Sequence, residues 1–211
     1  MTVVALLGGS GRLGGRVLDL LCAQGCQIRA LIHRSRISGP TVQVTQVHGD
    51  VHDPAAVAEL LDGASMVVST LGAAGLPTMD VCSAAMRNLM PVMTERSIMR
   101  IVTTTGSAAQ LDSEVGQKNG WQATRRAMLM RHMAPLILDG EEHMRLLQQS
   151  ALDWTTLRLP IMSVGQSDAV KLSDMCGPPD ATLGYNVVAR ELTRELFSAY
   201  WIGAAPFAVG A

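Results

Sequence analysis

Residues 3–25 read VVALLGGSGRLGGRVLDLLCAQG, and the fold turns on the glycines in the middle. Before them, residues 3–7 are a short, uniformly apolar run of the kind that forms a buried strand. After them, Leu13, Val17, Leu18 and Leu21 recur at helical spacing, and Gly25 stands where a helix ends in a left-handed residue. Gly8, Gly11 and Gly14 therefore form GxxGxxG between a strand and a helix. Gly8 suits a tight turn, Gly11 lets the backbone approach a phosphate, and Gly14 lets helix and strand pack closely. The free N–H groups of the helix's first turn, together with its dipole, make an anion site. The stretch thus predicts the first βα unit of a dinucleotide-binding domain, with Ser10, Arg12 and Leu13 as further contacts. The alternative is a glycine-rich turn that holds no ligand.

Beyond this unit, short apolar runs alternate with helical patterns along the chain. That alternation predicts a Rossmann-like α/β fold, a single doubly wound parallel sheet in three αβα layers, spanning residues 1–211 as one domain. The strands are read at 3–7, 27–32, 42–47, 66–70, 100–104 and 153–158, with a short last one near Phe207. Asp53 and Pro54 read as N-cap and first helical residue of a helix closed by Gly63. A longer helix is expected over 78–95, kinked or shortened by Pro91, and another over 138–150. Residues 163–185, containing Pro178 and Pro179, read as a long loop on the substrate side.

Composition narrows the partners. The chain has 17 basic and 18 acidic residues, so no net field favours nucleic acid or an anionic membrane. No apolar run has the length of a membrane span, and the N-terminus lacks the basic region of a signal peptide. A cytoplasmic protein with a small-molecule partner is expected, with homo-oligomerisation or a regulatory protein partner left open. Cys22, Cys26, Cys82 and Cys176 lack CxxC spacing and read as reduced, mostly buried thiols. His48, Asp50, His52 and Asp53 lie close in sequence, yet alternate residues on a strand end face opposite ways, so no metal is expected.

The second strand ends in ALIHRSR, with no acidic residue for the ribose hydroxyls of NAD. Arg34, with Arg36 or His33, is instead suited to an adenosine 2′-phosphate, which predicts NADP(H) over NAD(H). The plainer alternative is a pair of solvated loop arginines. Taken together, GGSGRLGGRV, that arginine, HGDVHD, VVSTLGAAG, MRIVTTTGSAA and SALDWTTLRLP resemble the atypical short-chain dehydrogenase/reductases. The resemblance is closest to the NAD(P)H-binding group that contains NmrA-like proteins and small biliverdin and flavin reductases. It implies that Asp50 and Val51 contact the adenine, that Leu71 and Gly72 line the cofactor, and that Pro160 and Ile161 meet the nicotinamide.

Typical members of the wider family use a YxxxK pair, in which lysine eases proton transfer by tyrosine. Here Tyr185 and Tyr200 are followed four residues later by alanines, and the only lysines are Lys118 and Lys171. Standard carbonyl reduction is therefore disfavoured. Small biliverdin and flavin reductases also lack the pair and work by placing a planar acceptor against the nicotinamide. The resemblance thus implies an NADPH-dependent oxidoreductase acting on a flavin, quinone or tetrapyrrole, or else an NmrA-type redox sensor that binds the dinucleotide without turnover. Thr105 and Ser107, at the exit of the fifth strand, are the candidate catalytic hydroxyls. A proton would come from solvent, His132 or His143, unless those histidines serve the helix surface or packing. Met128, Met130 and Met133 offer either a soft wall for a flat ligand or core packing, and Trp121 either a stacking surface or a loop anchor.

Overall fold

A computed structural model describes residues 1–34, 37, 42–72, 79–117, 120–165 and 169–211. Arg36, Thr78 and Lys118 lie outside the described residues. The first unit runs β1 (Val3–Leu7), α1 (Arg12–Ala23), β2 (Gln27–Ile32) and β3 (Val44–His48). It continues through α2 (Pro54–Leu60), β4 (Met66–Ser69), α3 (Val81–Glu95), β5 (Arg100–Gly106), α4 (Gly120–Gln148) and β6 (Asp153–Leu159). The last part holds β7 (Ile161–Ser163), β8 (Val170–Ser173), β9 (Thr182–Gly184), α5 (Tyr185–Ser198) and β10 (Phe207–Gly210). Eight strands form one sheet in the order β3-β2-β1-β4-β5-β6-β10-β8, parallel throughout except for antiparallel β8 at the edge. The strand order reverses between β1 and β4, so the carboxyl ends there open into the crevice where such sheets bind ligands.

Strand composition follows from the two covered faces. On β1, Val4 and Leu6 pack with α1 and α5, while Ala5 and Leu7 pack with α2, α3 and α4. All four are fully buried, which is why the run shows no polar alternation. Local signals set the helix ends. Asp53 Oδ1 accepts from the Ala55 N–H at 2.9 Å with Pro54 just inside α2, a cap that contributes about 1 kcal/mol. Gly25 and Gly63 follow their helices at φ +78° and +66°, conformations that glycine adopts without strain.

Three expectations change. The helix over 78–95 is described from Val81 and continues through Pro91 to Glu95. Pro91 and Arg87, whose carbonyl loses its partner, both face solvent, so water can satisfy the missing bond. The expected loop at 163–185 carries strands: β8 pairs antiparallel with β10, and β9 pairs with β7 in a small second sheet. The helix expected over 138–150 is the second half of α4. Its axis breaks at Met133 (φ −131°, ψ 20°), two residues before Pro135, whose ring clashes with the Arg131 carbonyl in a straight helix and whose nitrogen cannot donate to it. Among the described residues, no helix is long and apolar enough to cross a membrane.

Candidate functional site

The site begins at the glycine turn. Gly8 has φ +79°, and a Cβ there would lie 2.8 Å from the backbone of Thr70 at the end of β4. Gly14 packs behind it so closely that a Cβ would run into the Gly8 carbonyl. Gly11 differs: its Cβ would meet only the Gly8 carbonyl oxygen, at 3.2 Å, and otherwise open space. No side chain caps α1 at Gly11, and the first helical bond is donated by Gly15 N to Gly11 O at 2.9 Å. The N–H groups of the residues between are left for an anion. Gly8 thus makes the tight turn and Gly14 the close helix–strand packing that the spacing predicts, and Gly11 leaves the space above the turn open.

Two cavities run outward from this turn. One, of about 470 Å³, is lined by Gly8, Ser10, Gly11, His33, Arg34, Asp50, Val51, His52 and Val81, among others. The second, of about 510 Å³, lies over the ends of β5 and β6 and includes Leu13, Thr105, Ser107, Pro160 and Ile161. They share Thr70, Leu71 and Gly72, so together they form one trough along the carboxyl edge. Cβ atoms at Gly72 and Gly106 would meet nothing within 4 Å, which leaves the trough's floor open to a flat ligand. Of the residues expected to meet the cofactor or to supply catalytic hydroxyls, Arg12 and Gly14 line neither cavity. Arg12 is exposed and offers its carbonyl to Arg16 Nη1 at 2.6 Å, and Gly14 is buried under the turn.

The first cavity carries charge. Asp50 is held between two histidines, with His33 Nε2 at 3.1 Å and His52 Nδ1 at 2.7 Å, and His52 Nε2 continues to Asp80 at 3.1 Å. The His52 backbone N–H, which also donates to Asp50, holds that carboxyl below the usual carboxylate range. Hydrogen bonds to Asp50 and Asp80 raise the His52 imidazole above its ordinary value. Arg34 has no carboxylate partner among the described residues.

The second cavity is mainly apolar, walled by Leu129, Met133, Leu136, Ile137, Leu159 and Met162. Ser107 and Thr105 stand at its polar edge. The Ser107 backbone N–H is tied to Leu159 O at 2.8 Å, and its hydroxyl accepts from Arg125 Nη1 at 3.1 Å. Asp139, on the same wall, accepts from the backbone N–H groups of Cys82 (2.9 Å) and Ser83 (2.8 Å) and so caps α3 from α4. Gly140 permits the close approach of α4, since a Cβ there would collide with Thr105 Oγ1. Burial, with Asp139 nearby, pushes the Cys82 thiol up and keeps it protonated.

Several sequence alternatives resolve here. His143 is buried beneath β5, with Nε2 at 3.0 Å from Thr103 Oγ1, which in turn meets Thr156 Oγ1 at 2.7 Å. Burial lowers its pKa to about 4, and it lines neither of these two cavities, so it is a packing residue. His132 is exposed on α4. Of the three methionines, Met133 alone lines the apolar cavity; Met128 is 56% exposed and Met130 borders a separate surface hollow, so neither wall nor core describes the set. Trp121 is helical, half-buried, and lines a neighbouring polar recess. Tyr185 packs under Arg16, Tyr200 is on the surface, and Lys171 lies on β8. Among the cysteines, Cys26 is buried and the others are partly so, all as free thiols. The sequence reading weighed His52 only as a metal ligand beside Asp50, and it missed Thr70, Asp139 and Arg125, whose partners are distant in sequence. Only Thr70, a small residue ending a strand, had a local signal.

Comparison with known proteins agrees with this geometry. A comparison with curated protein sequences finds no match. Among solved structures, ChuY, an anaerobilin reductase from Escherichia coli O157:H7, superposes with TM-score 0.79 at 18% identity, covering 99% of this chain and 97% of that one. A short-chain dehydrogenase/reductase from Veillonella parvula, solved in complex with NADP, gives 0.76 at 15% identity over 99% and 94%. A Rossmann-fold NAD(P)-binding family protein from Shigella flexneri gives 0.69 at 18% over 100% and 94%. At such identities the likeness is one of fold. The family model described as NAD(P)H-binding matches residues 8–192, from the first glycine of the turn into α5. The chain therefore belongs to the NAD(P)H-binding family and has the fold of the atypical short-chain dehydrogenase/reductases.

Proposed function

We propose that the protein is an NADPH-dependent reductase that takes a planar conjugated acceptor, such as a flavin, quinone or tetrapyrrole. The observation that carries this reading is the open apolar cavity of about 510 Å³ beside Thr105, Pro160 and Ile161. It is within the size range of small-molecule sites, and beyond the end that the nicotinamide would take, its α4 wall of Leu129, Met133, Leu136 and Ile137 leaves room for a second, flat molecule. In this reading Gly8, Ser10, Gly11 and the start of α1 hold the pyrophosphate, and Arg34 holds the 2′-phosphate. Asp50 and Val51 face the adenosine, while Leu71, Gly72, Thr105, Pro160 and Ile161 flank the nicotinamide.

NADPH bound in this trough supplies a hydride which, with a proton from solvent, reduces the acceptor by two electrons and leaves NADP⁺. The chain's own contribution is positional. Apolar walls from α4 exclude water from one side of the acceptor, and β5 and β6 fix its distance from the cofactor. Thr105, the other candidate hydroxyl that lines this cavity, donates a hydrogen bond to charge that develops on the acceptor.

The test is steady-state NADPH oxidation by the purified protein against flavins, quinones and biliverdin, with cofactor binding titrated in the same buffer. Turnover of one acceptor well above the protein-free rate is expected. Tight cofactor binding with no turnover on any of them would replace this reading with an NmrA-type sensor.

A further inference from the structure

The polar recess that contains Trp121, of about 340 Å³, adjoins the apolar cavity and shares Ser107, Ala108 and Arg125 with it. Arg125 is half-buried at the boundary. On α4 it lies one turn from Leu129 and two from Met133, so the three side chains follow one helix face from recess to cavity.

The pairing of Arg125 is unlike that of its neighbours. Arg126 is taken by Glu141, at 2.7 Å, and by the Ala108 carbonyl. Arg158 is taken by Glu114, at 2.6 Å, by Ala205 O and by the face of Phe207. Arg100, in the core, has a bond on every guanidinium nitrogen, including Glu195 at 2.9 Å. Arg125 has the Ser107 hydroxyl and, among the described residues, no carboxylate. A guanidinium carries five N–H donors and is always charged, so a half-buried one with a single neutral partner is poised for an anion. The carboxylates around it are accounted for: Glu114 serves Arg158 and the Leu111 N–H, Glu141 serves Arg126 and the Gln110 N–H, and Asp174 is exposed at the rim. Because the Ser107 oxygen accepts from Arg125, its own proton is available to a ligand oxygen on the same side.

We infer that the acceptor carries an oxyanion, a carboxylate, phosphate or sulfonate, whose conjugated body fills the apolar cavity while Arg125 and Ser107 hold its charged end in the recess. This rests on the apolar cavity being the acceptor site.

Matched pairs that differ only in the charged group test it: riboflavin against FMN, and 1,4-naphthoquinone against its 2-sulfonate. Both NADPH oxidation and equilibrium binding to the NADP⁺-loaded protein are measured. The anionic member is expected to be at least tenfold better in kcat/KM and in affinity. Arg125→Gln should bring each ratio to within about twofold of one, and Arg125→Lys should keep an intermediate ratio, since lysine retains the charge without the fork. Glutamine suits a half-exposed helix position, and circular dichroism checks that the fold is kept. Equal behaviour of the pair members, no affinity for either anion, or a preference that survives Arg125→Gln overturns the inference. Turnover of both pair members at equal rates leaves the reductase reading standing, whereas an anion preference in binding without turnover removes the reductase reading alone.

Discussion

The two ends of the trough are built from different materials. At the β1–β3 end the surface is in large part backbone, a glycine turn and the open start of α1, flanked by strand ends bearing His33, Arg34, Asp50 and His52. At the β5–β6 end it is mostly side chain, set by a broken helix laid across the sheet edge, with Asp139 and Gly140 fixing how closely α4 sits. A backbone surface recognises what all dinucleotides share. A side-chain surface would recognise a second molecule by its own chemistry, and can change without loss of the first.

The contrast breaks most sharply at Gly11. Its φ of −79° suits any residue, and a Cβ meets only the Gly8 carbonyl, so Gly11→Val should fold. The valine methyls would stand where phosphate approaches. Affinity for NADPH should fall by at least a thousandfold, about 4 kcal/mol, with the thermal midpoint little changed. Retained affinity in a calorimetric titration would mean that the turn is only a turn.

Each end also holds a histidine, and the two are shifted in opposite directions. His143, under the β5–β6 end, is depressed to about 4 by burial, from an ordinary value of 6.5. Its unfolded form takes up a proton first, so the stability tied to its neutral state is present above pH 6.5 and is lost as pH falls toward 4. The loss amounts to about 3 kcal/mol, read by urea unfolding from pH 7 to 4, and should shrink in His143→Gln. His52, at the β1–β3 end, is raised by Asp50 and Asp80, so its contribution is complete below 6.5 and fades as pH rises through its folded value. Its exposure keeps that contribution small. Proton NMR titration should show the two imidazoles on opposite sides of 6.5, and a reversed order would refute the contrast.

The same difference decides what could be read before folding. Gly8, Gly11 and Gly14 act through the absence of a side chain at fixed spacing, a property written in three adjacent turns of sequence. The strands were legible because burial on both faces removes polar residues, as at Val4 to Leu7. Asp139 caps a helix 57 residues before it, and Arg125 reaches Ser107 across 18, so their roles exist only once α4 crosses the sheet. The strands within 163–185 were missed for a related reason. β8 is a four-residue edge strand whose partner, β10, comes more than thirty residues later.

The smallest effect concerns the one arginine among the described residues that line the first end. Arg34 lines the cavity beside Asp50, and without it the site would have no fixed positive charge for a 2′-phosphate among its described lining residues, His33 and His52 being engaged by Asp50. A charge-assisted hydrogen bond contributes about 1.5–3 kcal/mol, so Arg34→Ala should weaken NADPH by roughly ten- to a hundredfold. NADH lacks that phosphate and should lose at most about twofold. Side-by-side titration of both nucleotides on both proteins measures the difference. Equal losses would remove the 2′-phosphate role and leave this end of the trough reading only the shared backbone of the two cofactors.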